Sequence, residues 1–227
     1  MECLPAAINS SPGAHRSRPK MHDASTTISA FLDAAAAKQP TPGGGSIAAL
    51  AGALAASMGE MVLNFSVNKK DLQIHRPELE FTLGEMHRAR KLLLALMAED
   101  QAAYAALTDA KKSGVAVEME TALTASIQVP QAIGATAIAM LEIAGKLVDK
   151  VNRHLLSDLA VCGDLAMATA RCASYNIRAN LPEVADADER QRLEHSASHL
   201  VARGIALIRD LSPRIWARVD DKPASAT

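Results

Sequence analysis

"AKQPTPGGGSIAALAGALAAS", residues 37–57, sets two prolines and three consecutive glycines directly ahead of a run of small apolar residues. The prolines fix φ on the approach, and Gly43–Gly45 let another group come within touching distance of the backbone. The run that follows carries Ala48, Gly52, Ala55, Ala56 and Gly59. It reads as a buried helix shaped for the close approach of a neighbouring helix. Its apolar part, Ile47–Leu63, contains Ser57 and Glu60 and gives way to Asn64, Asn68, Lys69 and Lys70. A membrane span needs about 20 mostly apolar residues, so no membrane partner is expected.

The chain has 227 residues, enough for one domain with a sizeable core. It is 49% hydrophobic but only 3% aromatic, and its apolar set is dominated by Ala and Leu rather than strand formers, which favours an all-α fold. A net charge of −1 offers no basic face for nucleic acid. Cys3, Cys162 and Cys172 form no Cys-x-x-Cys pair. Cys162 and Cys172 would lie about 15 Å apart along one helix, too far to bridge. Free thiols in a reducing, cytoplasmic setting are the expectation. Residues 1–22 mix Pro, Ser, Arg and His without the apolar stretch of a signal peptide, and read as a disordered tail with Met21 as a candidate true start. Residues 217–227 read as a frayed tail, leaving residues 23–216 as a single helical domain.

Breakers divide that domain into helices. Asp23, Ser25 or Thr26 is expected to cap a first helix through Lys38, and Ser46 to cap or open a second reaching about Asn68. Pro77 suits the first turn of a long third helix, whose stripe of Leu79, Leu83, Met86, Leu93, Leu96 and Met97 continues to about Lys112. A fourth is expected over about 117–148 with Pro130 as a kink, and a fifth over about 152–180, stopped by Leu181-Pro182. The last begins near residues 186–189 and ends at Ser212-Pro213. The expected architecture is an antiparallel bundle of about six helices with one long kinked pair. The second and fifth helices are apolar around much of their circumference, which predicts a homodimer or larger assembly.

Two stretches resemble a known family. "FLDAAAAKQPTPGGGSIAALAGALAASMGEMVLNFSVNKK", residues 31–70, resembles the opening of the formiminotetrahydrofolate cyclodeaminase and methenyltetrahydrofolate cyclohydrolase family. "LLSDLAVCGDLAMATARCASYNIRANL", residues 155–181, resembles its second signature, in which Ser-Asp opens a long helix and two asparagines one turn apart close it. The resemblance covers residues 28–212. It implies an all-helical dimer that binds a folate near the subunit interface and acts on its one-carbon unit at N5 and N10. Cyclohydrolase chemistry is placed ahead of cyclodeaminase, because no formiminotransferase is fused to the chain. A helical binding or assembly module without chemistry is the reading from another class. Neither reaction requires a metal or any cofactor beyond the tetrahydrofolate substrate.

The residues themselves give this resemblance a chemistry. Pro42, Gly43, Gly44, Gly45 and Ser46 are substrate-binding candidates, since a helix N-terminus behind glycines offers unpaired N–H groups to a polar ligand edge. The alternative is a tight interhelical turn. No Lys-Ser/Thr follows at P-loop spacing. The catalytic candidates are Asp100, Asp158 and Lys69. Asp100 in a partly dry pocket would exchange protons with a folate nitrogen or a water; the alternative is a solvated carboxylate beside Glu99. Asp158, after Ser157, is either a helix-capping carboxylate or, as the resemblance implies, a partner for the pterin's amidine edge. Ser157, Lys70, Asn176 and Asn180 complete the binding candidates, with Lys69 and Lys70 suited to an anionic folate tail. Asp158 and Asn176 would stand about 27 Å apart on a straight helix, so they cannot grip one ring from one subunit.

Two departures from the family pattern stand out. Ala102 replaces a family glutamate, which puts activity in doubt, and Asp71-Leu72 follows the lysines where relatives have a basic residue and an aromatic. His195 and His199 lack a third ligand, so no metal is expected. His154 is an outside candidate for proton transfer. Tyr104 and Tyr175 read as packing residues.

Overall fold

Six α-helices account for most of residues 21–220, which are the residues the computed structural model describes. They are α1 (Ile28–Ala36), α2 (Gly44–Asn64), α3 (Arg76–Ser113), α4 (Ala116–Leu147), α5 (Leu156–Asn180) and α6 (Ala187–Asp220), with no strand among the described residues. The greater part of the two expected tails, residues 1–20 and 221–227, lies outside the described residues.

The glycines of α2 set the packing. Gly45, Gly52 and Gly59 are spaced by seven. A Cβ on each would lie 1.9 Å from Asp100, 3.1 Å from Leu93 and 3.1 Å from Met86, three α3 residues spaced by seven in the opposite sense. On α5, Gly44 faces Asn176 at 3.2 Å, Gly52 faces Thr169 at 3.0 Å and Gly59 faces Cys162 at 3.4 Å, again in reverse order. Helix α2 therefore runs antiparallel to both neighbours, close enough that side chains at these positions would overpack. Fully buried Leu63, Leu79, Leu93, Met140, Leu141, Leu156 and Leu159 fill the layers between. Helices α2 and α4 are long and apolar enough to cross a membrane by length and composition, with 56% and 50% of their most apolar windows buried inside the bundle.

Local chemistry explains the boundaries. Gly114 takes a left-handed conformation (φ 68°) and its N–H closes α3 on the Ala110 carbonyl. Helix α1 is capped by Thr27, whose Oγ1 accepts the Ala30 N–H at 3.2 Å, and not by Asp23, Ser25 or Thr26. Those three residues instead close the preceding turn, with the Ser25 N–H and hydroxyl donating to Asp23 Oδ1 at 2.9 and 2.6 Å. The helix ends at Ala36 rather than Lys38: Ala37 is already extended (φ −75°, ψ 159°) and its N–H closes the last turn on the Ala34 carbonyl.

The folded unit extends beyond its expected limits at both ends. The His22 N–H donates to Gln101 Oε1 at 2.9 Å, and Gln101 Nε2 donates back to the His22 carbonyl at 2.7 Å. The His22 ring is buried edge-on to Phe31, with centroids 6.2 Å apart. At the other end α6 passes through Pro213 to Asp220. Tertiary contacts outweigh the proline: Ile215 is buried, and Arg218 donates to the carbonyls of Val148 and Val151.

This antiparallel arrangement gives the bundle two distinct ends. The N-terminus of α2, the middle of α3 and the C-terminus of α5 meet at one. The C-terminus of α2 meets the approach to α5 at the other, where the Asn152 N–H donates to Ser66 Oγ at 2.9 Å.

Candidate functional site

Helix α2 begins without a side-chain cap of its own. Its N-cap, Gly43, is extended, and Ser46, expected to cap or open the helix, lies in its first turn without capping it. Ser46 is fully buried and its hydroxyl reaches across to α3, donating to Asp100 Oδ2 at 2.8 Å. The Ser46 backbone N–H also holds this carboxylate. Asp100 thus supplies from α3 the cap that the glycine turn lacks, and the missing side chain of Gly45 makes room for it.

Behind the turn lies a cavity of about 250 Å³. The turn contributes Pro40, Thr41 and Gly43–Gly45, α3 contributes Asp100, Ala103, Tyr104 and Leu107, α4 contributes Ser126 and Pro130, and α5 contributes Asn176, Ala179 and Asn180. Asp100 and Tyr104 are the ionisable groups among the described lining residues. Burial raises the Asp100 carboxyl above the ordinary carboxylate range, and the Ser46 hydroxyl and N–H pull it part of the way back. Asn176 donates Nδ2 to the Cys172 carbonyl at 2.8 Å, which leaves its Oδ1 beside Gly44. The cavity therefore joins a carboxyl poised above its usual range, amide oxygens and an apolar wall, without a cationic side chain among the described lining residues.

Of the residues singled out from sequence, Gly43, Gly44, Gly45, Asp100, Asn176 and Asn180 converge on this cavity. Pro42 and Ser46 are buried behind it. Lys69, Lys70, Ser157 and Asp158 are not brought to it within one chain, because they sit at the far end of the bundle. There Lys69 pairs with Asp71 at 3.2 Å, Lys70 and Ser157 are exposed, and Asp158 occupies the first turn of α5. His154, His195 and His199 are exposed, and no group of three metal-ligating side chains occurs among the described residues.

Tyr104 is the lining residue that the sequence reading passed over as packing. It is 48% exposed at the rim. The signal was present: Asp100, Tyr104 and Leu107 follow i, i+4, i+7 and share one helix face.

The family model described as formiminotransferase-cyclodeaminase matches residues 27–199. The chain belongs to this family. Among family relatives, a methenyltetrahydrofolate cyclohydrolase from Methylorubrum extorquens is 30% identical over 86% of this chain and 97% of its own length. The formimidoyltransferase-cyclodeaminase of Gallus gallus is 24% identical over 87% of the chain, which spans 37% of that longer protein. The solved structure of a formiminotetrahydrofolate cyclodeaminase from Thermotoga maritima superposes with a TM-score of 0.81 at 28% identity, covering 86% of this chain and 98% of that one. The family match starts at the α1 cap and ends within α6, so it includes every wall of the cavity. Ala102, the departure that put activity in doubt, is exposed and does not line the cavity, whereas Asp100 does.

Proposed function

We propose that the protein is a methenyltetrahydrofolate cyclohydrolase, adding water to the N5,N10-methenyl bridge to give the 10-formyl compound. The observation that carries this reading is Asp100: a carboxyl raised above its ordinary range, fixed by Ser46, in a cavity whose described lining residues include no cation. The methenyl carbon lies between two nitrogens that share a positive charge. A carboxylate and amide oxygens suit that charge, and a lysine or arginine would oppose it.

The chemistry needs one proton carrier. As water attacks the methenyl carbon, Asp100 accepts a water proton and a tetrahedral carbon forms. Asp100 then returns that proton to N5 as the carbon–N5 bond breaks, and the proton left on the hydroxyl is released to solvent as the C=O forms, so the methenyl cation and water give the neutral N10-formyl compound and one proton. No group beyond the tetrahydrofolate substrate is needed for these steps.

The reading extends to a homodimer. Ile47, Ala51, Leu54, Met58 and Met61 on α2, with Phe65 at its C-cap, form an exposed or half-buried stripe. Their spacing is symmetric about position 56, so two antiparallel copies of α2 would match Ile47 with Phe65, Ala51 with Met61 and Leu54 with Met58. Such self-complementarity is what a two-fold interface requires. The same pairing carries the partner subunit's Lys69 and Lys70 toward the glycine turn, where they suit the anionic folate tail. Asp158 and Ser157 would enter the site by the same route. A soluble, cytoplasmic protein is the matching setting, supported by free Cys162 and Cys172 and by the packing of α2 and α4 inside the bundle.

Cyclodeaminase activity is the second reading, favoured by the likeness to the Thermotoga maritima structure. In it N10 attacks a formimino group on N5 and ammonia leaves. One experiment separates the two. The purified protein is given methenyl- and formimino-tetrahydrofolate in turn while the methenyl absorbance is followed. Loss from the first substrate establishes the cyclohydrolase, and gain from the second establishes the cyclodeaminase. No change with either, alongside folate binding, leaves a binding module.

A further inference from the structure

Pro130 lies inside α4 and has no N–H, so the Ser126 carbonyl four residues back loses its helical donor. Asn180 of α5 replaces it, donating Nδ2 to the Ser126 carbonyl at 3.0 Å. The second amide hydrogen of Asn180 goes to the Asn176 carbonyl at 3.2 Å. Ser126, Pro130 and Asn180 all line the cavity that holds Asp100.

The hydrogen-bond capacities leave a definite remainder. A carbonyl oxygen carries two lone pairs, and Asn180 occupies one of those on Ser126. Asn180 has committed both amide hydrogens, so Oδ1 is the side-chain atom it has left for a ligand. Asn176 commits one of its two amide hydrogens to the Cys172 carbonyl, and its Oδ1 lies beside Gly44. Three oxygens, on Ser126, Asn176 and Asn180, thus stand as acceptors in one cavity. An ordinary helix would have closed the first of them. The Ser126 hydroxyl adds no donor, because it is spent on the Ala122 carbonyl at 2.9 Å.

We propose that Pro130 and Asn180 are specificity-determining residues: they hold open an acceptor edge that reads the N–H donors of the reduced pterin, its 2-amino group and the adjacent ring N–H. This rests on the folate reading above and assigns one part of the ligand to one wall. Asp100 serves the one-carbon unit and the Pro130–Asn180 edge serves the donor-rich end of the ring. Pro130 acts through the Ser126 carbonyl and is a positioning residue, while Asn180 touches the ring.

The test crosses two proteins with two ligands: the wild type and Pro130→Ala, each given methenyltetrahydrofolate and its analogue in which methyl replaces the 2-amino group. Pro130→Ala restores an N–H to the Ser126 carbonyl and frees Asn180. Its KM for the natural substrate should rise about tenfold with kcat changed less than about threefold, the size expected when a ligand donor loses its acceptor. The two proteins should show the same KM for the analogue, which a merely structural effect would not produce. Asn180→Ala, checked for unchanged helicity, should repeat the pattern. Equal KM values for the natural substrate in the wild type and Pro130→Ala, or equal weakening of both ligands, overturns the proposal. A wild type that neither converts nor binds folates removes the folate reading itself, and the assignment to the pterin falls with it.

Discussion

Gly45 and Asp100 occupy one another's space: a Cβ at Gly45 would lie 1.9 Å from Asp100 Oδ1 and 2.5 Å from its carboxyl carbon. The glycine turn is therefore fitted to a carboxylate on the next helix as well as to the path of its own backbone. The conflict is the closest on the α2 ladder, and it falls where the cavity begins.

Gly45→Ala should expel the Asp100 carboxylate from its seat against Ser46. Overpacking of this kind typically costs about 1–3 kcal/mol, and turnover should fall with it because the proton carrier moves. Gly145→Ala, on α4 and outside the cavity lining, is the control, since a Cβ there meets nothing within 4 Å. Thermal denaturation and turnover of both variants check this. A Gly45→Ala protein as stable and active as the wild type would contradict the placement of Asp100.

Asp100 also predicts a pH dependence with a definite sign. Its folded pKa is raised above the ordinary 3.8 by burial. Between those two values the folded state binds more protons than the unfolded state, so the stability it contributes is fully present below 3.8 and is lost as pH rises through the folded value. Asp100→Asn should remove that part of the slope in denaturant midpoints measured across the acid range. It should also cut kcat far more than it weakens folate binding. An unchanged slope together with unchanged kcat would remove Asp100 from both roles.

The helices were legible in the sequence because proline, glycine and the apolar period each report on local backbone or on one face. Pro77, Gly114 and the Leu79–Met97 stripe place α3 almost to the residue. The site was legible at the glycine turn, at Asp100, and at Asn176 and Asn180, which lie one turn apart on one face of α5. The bond Asn180 makes needed the structure, because its partner is the Ser126 carbonyl, 54 residues earlier, which Pro130 leaves open, and spacing along one helix carries no trace of it. Lys69 and Asp158 resemble site residues in sequence, yet the antiparallel run of α2 and α5 carries both to the opposite end of the chain's own bundle. The α6 boundary was misread for a related reason. A proline is a local stop signal, whereas the burial of Ile215 and the bonds of Arg218 are long-range.

Gln101, beside Asp100, ties the N-terminal segment to α3 through the two hydrogen bonds with His22. Gln101→Ala leaves a buried N–H and carbonyl without partners, at about 1–3 kcal/mol each. The loss should be local. Hydrogen exchange should quicken over residues 22–36 while the Leu63, Leu93 and Met140 layers keep their protection. Uniformly faster exchange throughout the bundle would show instead that the clamp supports the whole core.

Leu54 sits at the middle of the α2 stripe, half-exposed at 51% in the single chain. In the antiparallel pairing it meets the partner subunit's Met58, so Leu54→Lys would bury a charge at the centre of the interface. A buried unpaired ammonium costs several kcal/mol, enough to dissociate a dimer held by one helix stripe. Leu92 is exposed to a similar degree, 47%, but lies on α3 away from the stripe, so Leu92→Lys should leave the assembly intact. Sedimentation equilibrium at micromolar concentration should give a dimer for the wild type and Leu92→Lys and a monomer for Leu54→Lys, all with the same helicity. The monomer would keep its own Asp100 cavity but lose the partner subunit's Lys69 and Lys70, so its affinity for a folate with several glutamates should drop more than its affinity for one lacking the tail. A wild-type monomer, or a Leu54→Lys dimer, would refute the antiparallel pairing and leave Lys69 and Asp158 without a route to the cavity.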